Sequence, residues 1–211
     1  FLNIFVDIAS KVPQVLEEMG QNTDILASVV NKDFFHSFPT LEGVLFELDR
    51  ILSVKPFDYE DKLSLIRQFV KELKFKVAVH LIQRKSNIEE ASFSYSIIAE
   101  AVLQILAPIV TENFSKRYGT LKSKGFAIIG MGKLGSREMT LTSDLDLIIV
   151  YDPMSLQNLD ESSKIHPSTY FSKLTKELVS ALTSMMKDGY LYKVDMRLRP
   201  SGSKGPVAVS F

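Results

Sequence analysis

The chain has 211 residues, room for one large domain or two small ones, and 45% of them are hydrophobic and 24% charged, as in an ordinary globular protein. Lys plus Arg balance Asp plus Glu at 25 each, which gives no support to a globally basic nucleic-acid binder, and no nucleic-acid partner is expected. Cysteine is absent, which excludes a disulfide framework and a thiolate metal site and fits a reducing, cytoplasmic setting.

The longest apolar run, Ala101 to Thr111, falls short of the ~20 residues that span a bilayer. The N-terminus is apolar, but Asp7 and Lys11 interrupt it, so it does not read as a signal peptide and no membrane partner is expected. The chain begins at Phe1 and ends at Phe211 after a turn-rich stretch; both ends read as cuts in a longer polypeptide.

The first part, residues 1–118, reads as helical. Short helices are expected within Leu2–Met19, Asn22–Val30 and Thr40–Leu52, with Phe34, Phe35 and Phe38 filling the core between them. Leu63, Ile66, Phe69, Val70, Leu73, Val77 and Leu81 recur at three- and four-residue spacing, the apolar face of one helix. Arg67, Lys71 and Lys74 lie off that stripe and read as its solvated face. Asn87 followed by Glu90 predicts a capping box. The helix it opens runs through Ile97, Ile98, Ala101, Val102, Ile105 and Leu106, and Pro108 should kink or end it.

The pattern changes at Gly119. Phe126–Ile129, bounded by Gly125 and Gly130, reads as a strand. Leu145–Tyr151 reads as a second strand, apolar on both faces and therefore central. A polar loop from Asp152 to Pro167 precedes a helix marked by Tyr170, Leu174, Leu178, Leu182 and Met185. Leu191–Arg199 alternates and predicts a third strand, and Val207–Val209 the start of another element. The expected fold is α+β: a helical region over 1–118, then a small mixed sheet flanked by helices over 119–211, with a helical continuation beyond the fragment.

Two signatures compete between Gly130 and Asp152. Gly130, Gly132 and Gly135 spell G-x-G-x-x-G after a strand, and Asp152 follows 22 residues after Gly130, near where a ribose-binding acid belongs. A dinucleotide fold, however, needs a full crossover helix. Ser136–Ser143 offers only about two turns with no apolar stripe. The same residues suit metal-dependent nucleotidyl transfer better. Positions two apart on a strand share a face, so Asp144 and Asp146 present two carboxylates together, opposite Leu145 and Leu147. Asp is disfavoured in strands and like charges repel, which a hard cation such as Mg²⁺ would offset. On the third strand Lys193, Asp195, Arg197 and Arg199 share one face and Tyr192, Val194, Met196 and Leu198 the other, which should pack on helices. Asp195 is a candidate third ligand, and Arg197 and Arg199 suit phosphate oxygens. Gly135 permits close backbone approach, Ser136 places a hydroxyl at the start of a short helix, and Lys133 offers a point charge to phosphate. His36, His80 and His166 show no zinc spacing.

With these residues in place, the chain resembles the nucleotidyltransferase superfamily of the DNA polymerase β type. More closely, G-M-G-K-L-G-S-R-E-M, S-D-L-D-L-I and V-D-M-R-L-R-P-S-G-x-x-G-P, covering Gly130–Asp152 and Val194–Pro206, resemble the bifunctional glutamine synthetase adenylyltransferase and adenylyl-removing family. The resemblance implies a bacterial, cytoplasmic enzyme of nitrogen assimilation with two such domains. One transfers AMP from ATP to a tyrosine of glutamine synthetase; the other removes it by phosphorolysis. S-R-E-M-T and R-L-R-P-S-G look more like the adenylylating, C-terminal half. By the same resemblance Asp144, Asp146 and Asp195 carry two Mg²⁺ ions and Asp195 accepts the tyrosine proton. Glutamine and the PII signal protein are implied as regulators of the full-length enzyme.

Overall fold

The computed structural model describes residues 38–119, 125–156, 165–187, 189–198 and 206–210. The helices expected within Leu2–Met19 and Asn22–Val30, with Phe34 and Phe35, lie outside the described residues. The chain divides into two compact units. Unit 1 comprises the described residues up to Val102 together with Arg137–Thr142 and Met185–Gly189; unit 2 comprises those of Leu103–Ser136, Ser143–Ser184 and Tyr190–Phe211.

Unit 1 is helical. Helix α1, Leu41–Leu52, opens where the Thr40 hydroxyl accepts the Gly43 N–H at 3.1 Å, and buries Val44 and Leu48. Phe38 is not the core residue expected: it is 37% exposed, and its ring stands perpendicular to that of His80. Helix α2, Tyr59–Ile82, is capped by Asp58, whose carboxylate accepts the Asp61 N–H at 2.8 Å. Its stripe buries Leu63, Ile66, Val70 and Val77 as expected, but burial spreads round the helix to Phe75, Ala78, Val79 and His80. It also takes in Arg67, which the sequence had assigned to solvent and which is 1% exposed. The periodicity ranks apolar positions only; it cannot register a neighbour that covers the long stem of an arginine.

Helix α3, Ile88–Tyr118, begins with the reciprocal box read from the sequence. The Asn87 N–H donates to Glu90 at 3.0 Å and the Glu90 N–H to Asn87 at 2.8 Å. The helix runs through Pro108 to Tyr118 instead of ending there. By length and composition alone α3 is apolar enough to cross a bilayer, although 61% of its most apolar window is buried inside the protein, as for a core helix. The apolar run read from the sequence, Ala101 to Thr111, is bounded by Glu100 and Glu112, and Ser94 and Ser96 punctuate the helix before it. Their hydroxyls donate back to the carbonyls of Glu90 and Ser92, both at 2.8 Å, so they travel inside the helix.

Unit 2 is built on a four-stranded mixed sheet. Strand β1, Phe126–Gly130, pairs antiparallel with residues 147–151 of β2, Leu145–Tyr151. Two short strands share the other edge of β2, both parallel to it: β3, Val194–Asp195, beside Leu145–Asp146, and β4, Ala208–Ser210, beside Ile149–Tyr151. So β2 is central, as its composition predicts, and its burial alternates. Leu145, Leu147, Ile149 and Tyr151 are buried, whereas Asp146, Ile148 and Val150 are half-buried. Helix α5, Pro167–Thr183, packs through Phe171, whose ring stacks on Tyr151 at 4.5 Å. Tyr170 meets Phe114 edge-on at 5.0 Å, and its hydroxyl donates to the Gly119 carbonyl at 3.2 Å. Met185 lies beyond the helix end and is 72% exposed, against expectation.

The largest departure is the third strand. Among the described residues of that stretch only Val194 and Asp195 form a strand; Leu191 and Tyr192 are both buried, Arg197 and Leu198 form a turn, and Leu198 is 53% exposed. The alternation of Leu191–Arg199 is real in sequence, but β2 is shared with β4. A strand finds hydrogen-bond partners only as far as its neighbour's free edge extends.

Candidate active site

Asp146 lies on β2 and Asp195 on β3, and the two are register partners. Directly paired residues of parallel strands project to one face, so the carboxylates stand side by side. Asp144 lies two residues earlier, just before β2 begins, and is exposed. Leu145 and Leu147, fully buried on the other face, fix the strand's rotation and thus the direction of Asp146.

Arg197 completes the cluster, though not from a strand. In the turn after β3 its N–H donates to Asp195 Oδ1 at 2.8 Å. Its guanidinium holds both carboxylate oxygens, Nε at 3.0 and 2.8 Å and Nη2 at 2.5 Å. The Arg197 side chain is 81% exposed and that of Asp195 19% exposed. The hydrogen bond and charge of Asp195, with Asp146 adding to them, raise the arginine's pKa further. Three of the expected groups, Asp146, Asp195 and Arg197, are therefore brought together. Arg199 lies outside the described residues. Among the described residues no group of three or more His, Cys, Asp or Glu side chains is placed to hold a metal ion by itself.

The glycine segment takes a form the sequence did not reveal. Helix α4 is a single turn, Gly132–Gly135, between β1 and β2. With β1 and β2 antiparallel the glycines do not open a βαβ unit, so G-x-G-x-x-G does not mark a dinucleotide fold here. Ser136 ends this turn instead of starting a helix: its N–H donates to the carbonyls of Gly132 and Leu134. Ser136 and Lys133 are exposed. Gly135 does allow a close approach, since a Cβ there would lie 2.9 Å from the Gly130 carbonyl oxygen. Gly132, which stands out in the sequence only as the second glycine of G-x-G-x-x-G, is the more demanding position. Its φ is +49°, and an added Cβ would collide with Asp146 Oδ2 and lie 3.1 Å from Cγ. The Met131 N–H donates to the Asp146 carbonyl at 2.8 Å, tying the turn to the carboxylate's own residue. The spacing of the three glycines was the available signal, but it says nothing about which long-range neighbour each one meets.

The sequence model for glutamate-ammonia ligase adenylyltransferase matches residues 2–211. Similar curated proteins, each named bifunctional glutamine synthetase adenylyltransferase/adenylyl-removing enzyme, come from Brucella suis, Rhodopseudomonas palustris and Bartonella quintana. The Brucella protein is 35% identical over 208 residues, 98% of this chain and 21% of its own length. The Rhodopseudomonas protein (strain TIE-1) is 35% identical over 211 residues, 98% of this chain and 21% of its own length. The Bartonella protein is 34% identical over 212 residues, 100% of this chain and 22% of its own length. The chain thus spans about a fifth of the length of these relatives. The match of motif, paired carboxylates and nearly full chain coverage shows that the chain belongs to the glutamate-ammonia ligase adenylyltransferase family.

Proposed function

We propose that this chain carries the catalytic centre of a Mg²⁺-dependent nucleotidyltransferase, acting in the cytoplasm, that moves AMP from ATP to a tyrosine of glutamine synthetase. The reacting groups fall within residues 119–211. The observation that carries the reading is the pairing of Asp146 with Asp195 on adjacent strands, with Asp144 two residues before. The protein substrate follows from the names of the relatives. S-R-E-M-T and R-L-R-P-S-G favour the adenylylating over the adenylyl-removing half. The PII protein and glutamine would act on the full-length enzyme.

The donor set fits the ion. Mg²⁺ takes oxygen ligands and typically keeps one or two carboxylates beside substrate phosphates, so an open pair suits it better than a closed cage. Asp144, Asp146 and Asp195 would hold it, and bound there it supplies neutralisation of the triphosphate charge. Lys133 and Ser136, exposed on the glycine turn, would contact phosphate oxygens. Arg197, on an exposed turn, leaves Asp195 for a phosphate, exchanging one anion for another; Arg199 would act beside it. The tyrosine oxygen bonds to the α-phosphorus as the bond to pyrophosphate breaks. Asp195, relieved of Arg197, takes the phenolic proton.

Calorimetry of the protein with ATP and with NAD, each with and without Mg²⁺, tests the reading. ATP should bind only with the cation, and Asp144→Asn with Asp146→Asn should abolish that binding. Tight NAD binding without metal would overturn it.

A further inference from the structure

The two halves of the site motif are joined by six residues, Arg137–Thr142, that the proposed chemistry does not use. Ser136 before them and Ser143 after them belong to unit 2, but these six pack in unit 1. Met139 is completely buried. Its N–H donates at 3.3 Å to the hydroxyl of Ser96, itself completely buried on α3. One helical turn further along α3, Glu100 forms an ion pair with Arg137; residues four apart lie on the same helix face. Arg137 has φ +64°, a left-handed conformation that side chains with a Cβ rarely adopt. Such a conformation persists where surrounding contacts over-determine it. Here those contacts are the Glu100 pair on one side and the buried Met139 two residues on.

We propose that Arg137–Thr142 is an anchored strap. By gripping α3 through Arg137 and Met139 it positions its own two ends, Ser136 and the Ser143–Asp144 pair, for nucleotide and metal. The proposal rests on the nucleotidyltransferase reading, and it makes Arg137, Met139 and Glu100 positioning residues that touch no substrate. The covalent path is short: Ser136 adjoins Arg137, and Asp144 is the second residue after Thr142. Loss of the grip therefore loosens both ends at once.

Two mild variants of the intact protein test this. Glu100→Gln removes the charge from a half-exposed pair, and Arg137→Gly removes the side chain while accepting the positive φ without strain. Hydrogen exchange of the amides over residues 131–146, measured without nucleotide, should quicken in both variants, while exchange within α5 stays as in the wild type. With Mg²⁺ present, ATP should bind about two- to fivefold more weakly, as loss of a part-exposed ion pair allows. The double variant should be no weaker than Arg137→Gly alone. Unchanged exchange over 131–146 overturns the strap, and faster exchange with wild-type ATP affinity overturns its positioning role. If the wild type binds no Mg²⁺–ATP, the nucleotidyltransferase reading and the positioning role fall together, while the exchange experiment still decides whether the strap exists.

Discussion

Gly132 offers a test in which geometry sets the size of the effect. Gly132→Ala places a Cβ at φ +49°, which costs about 1–2 kcal/mol for an L residue in the left-handed region. The new methyl also collides with Asp146 Oδ2 and lies 3.1 Å from Cγ, so the carboxylate must rotate away or β2 must shift. Forced displacement in a packed site adds about 1–3 kcal/mol. The sum is about 2–5 kcal/mol, less the few tenths to 1 kcal/mol gained by stiffening the unfolded chain. In an Asp146→Ala background the colliding atoms are gone and the remaining Cβ is 3.5 Å away, an ordinary contact. There the cost should fall to the backbone contribution alone, leaving a coupling of about 1–3 kcal/mol between the positions. Denaturant unfolding of the wild type, both single variants and the double variant measures it. An equal cost for Gly132→Ala in both backgrounds would show that Gly132 serves the turn only and does not seat the carboxylate.

Asp146→Ala alone should melt no lower than the wild type without ligand, since it removes a strand carboxylate from beside Asp195, but it should lose the stabilisation that Mg²⁺–ATP gives the wild type; thermal melts with and without Mg²⁺–ATP decide. Arg197→Lys keeps the charge but loses the planar fork that holds both oxygens of Asp195. The KM for ATP should rise several-fold with the melting temperature nearly unchanged, because the side chain is mostly exposed; an early melt would make this arginine structural. Thr40→Ala and Asn87→Ala should each cost about 1 kcal/mol by removing a helix cap, seen as a drop of about 2–4 °C in melting temperature with unaltered nucleotide affinity. His80 is held below its ordinary 6.5, first by burial and then by the charges of Lys76 and Lys85. The unfolded chain therefore takes up the proton first as pH falls, so the stability contribution is complete above about 6.5 and is lost as pH drops through the folded value. Between about pH 7.5 and about pH 5.5, His80→Gln should lose less unfolding free energy than the wild type; equal losses would refute the assignment.

Local signals were written plainly in the chain. The Asn87–Glu90 box, the helix within Thr40–Leu52, the apolar strand Leu145–Tyr151 and the alternation that turns Asp146 away from Leu145 and Leu147 depend on residues within a few positions of one another, so sequence alone determined them. The pairing of Asp146 with Asp195 was only half legible: both acids stood out, but their register depends on where β3 lies, and β3 shares that edge of β2 with β4, which occupies it from Ile149 to Tyr151. Arg197 was read as a strand residue for the same reason and proves to lie in a turn that folds back on Asp195. The burial of Arg67, the collision that reserves Gly132 for glycine, and the seating of Met139 against Ser96 each join positions far apart in the chain. No periodicity encodes them, because steric exclusion and burial are set by whichever distant atoms the folded backbone brings within contact, and only the tertiary structure decides which atoms those are.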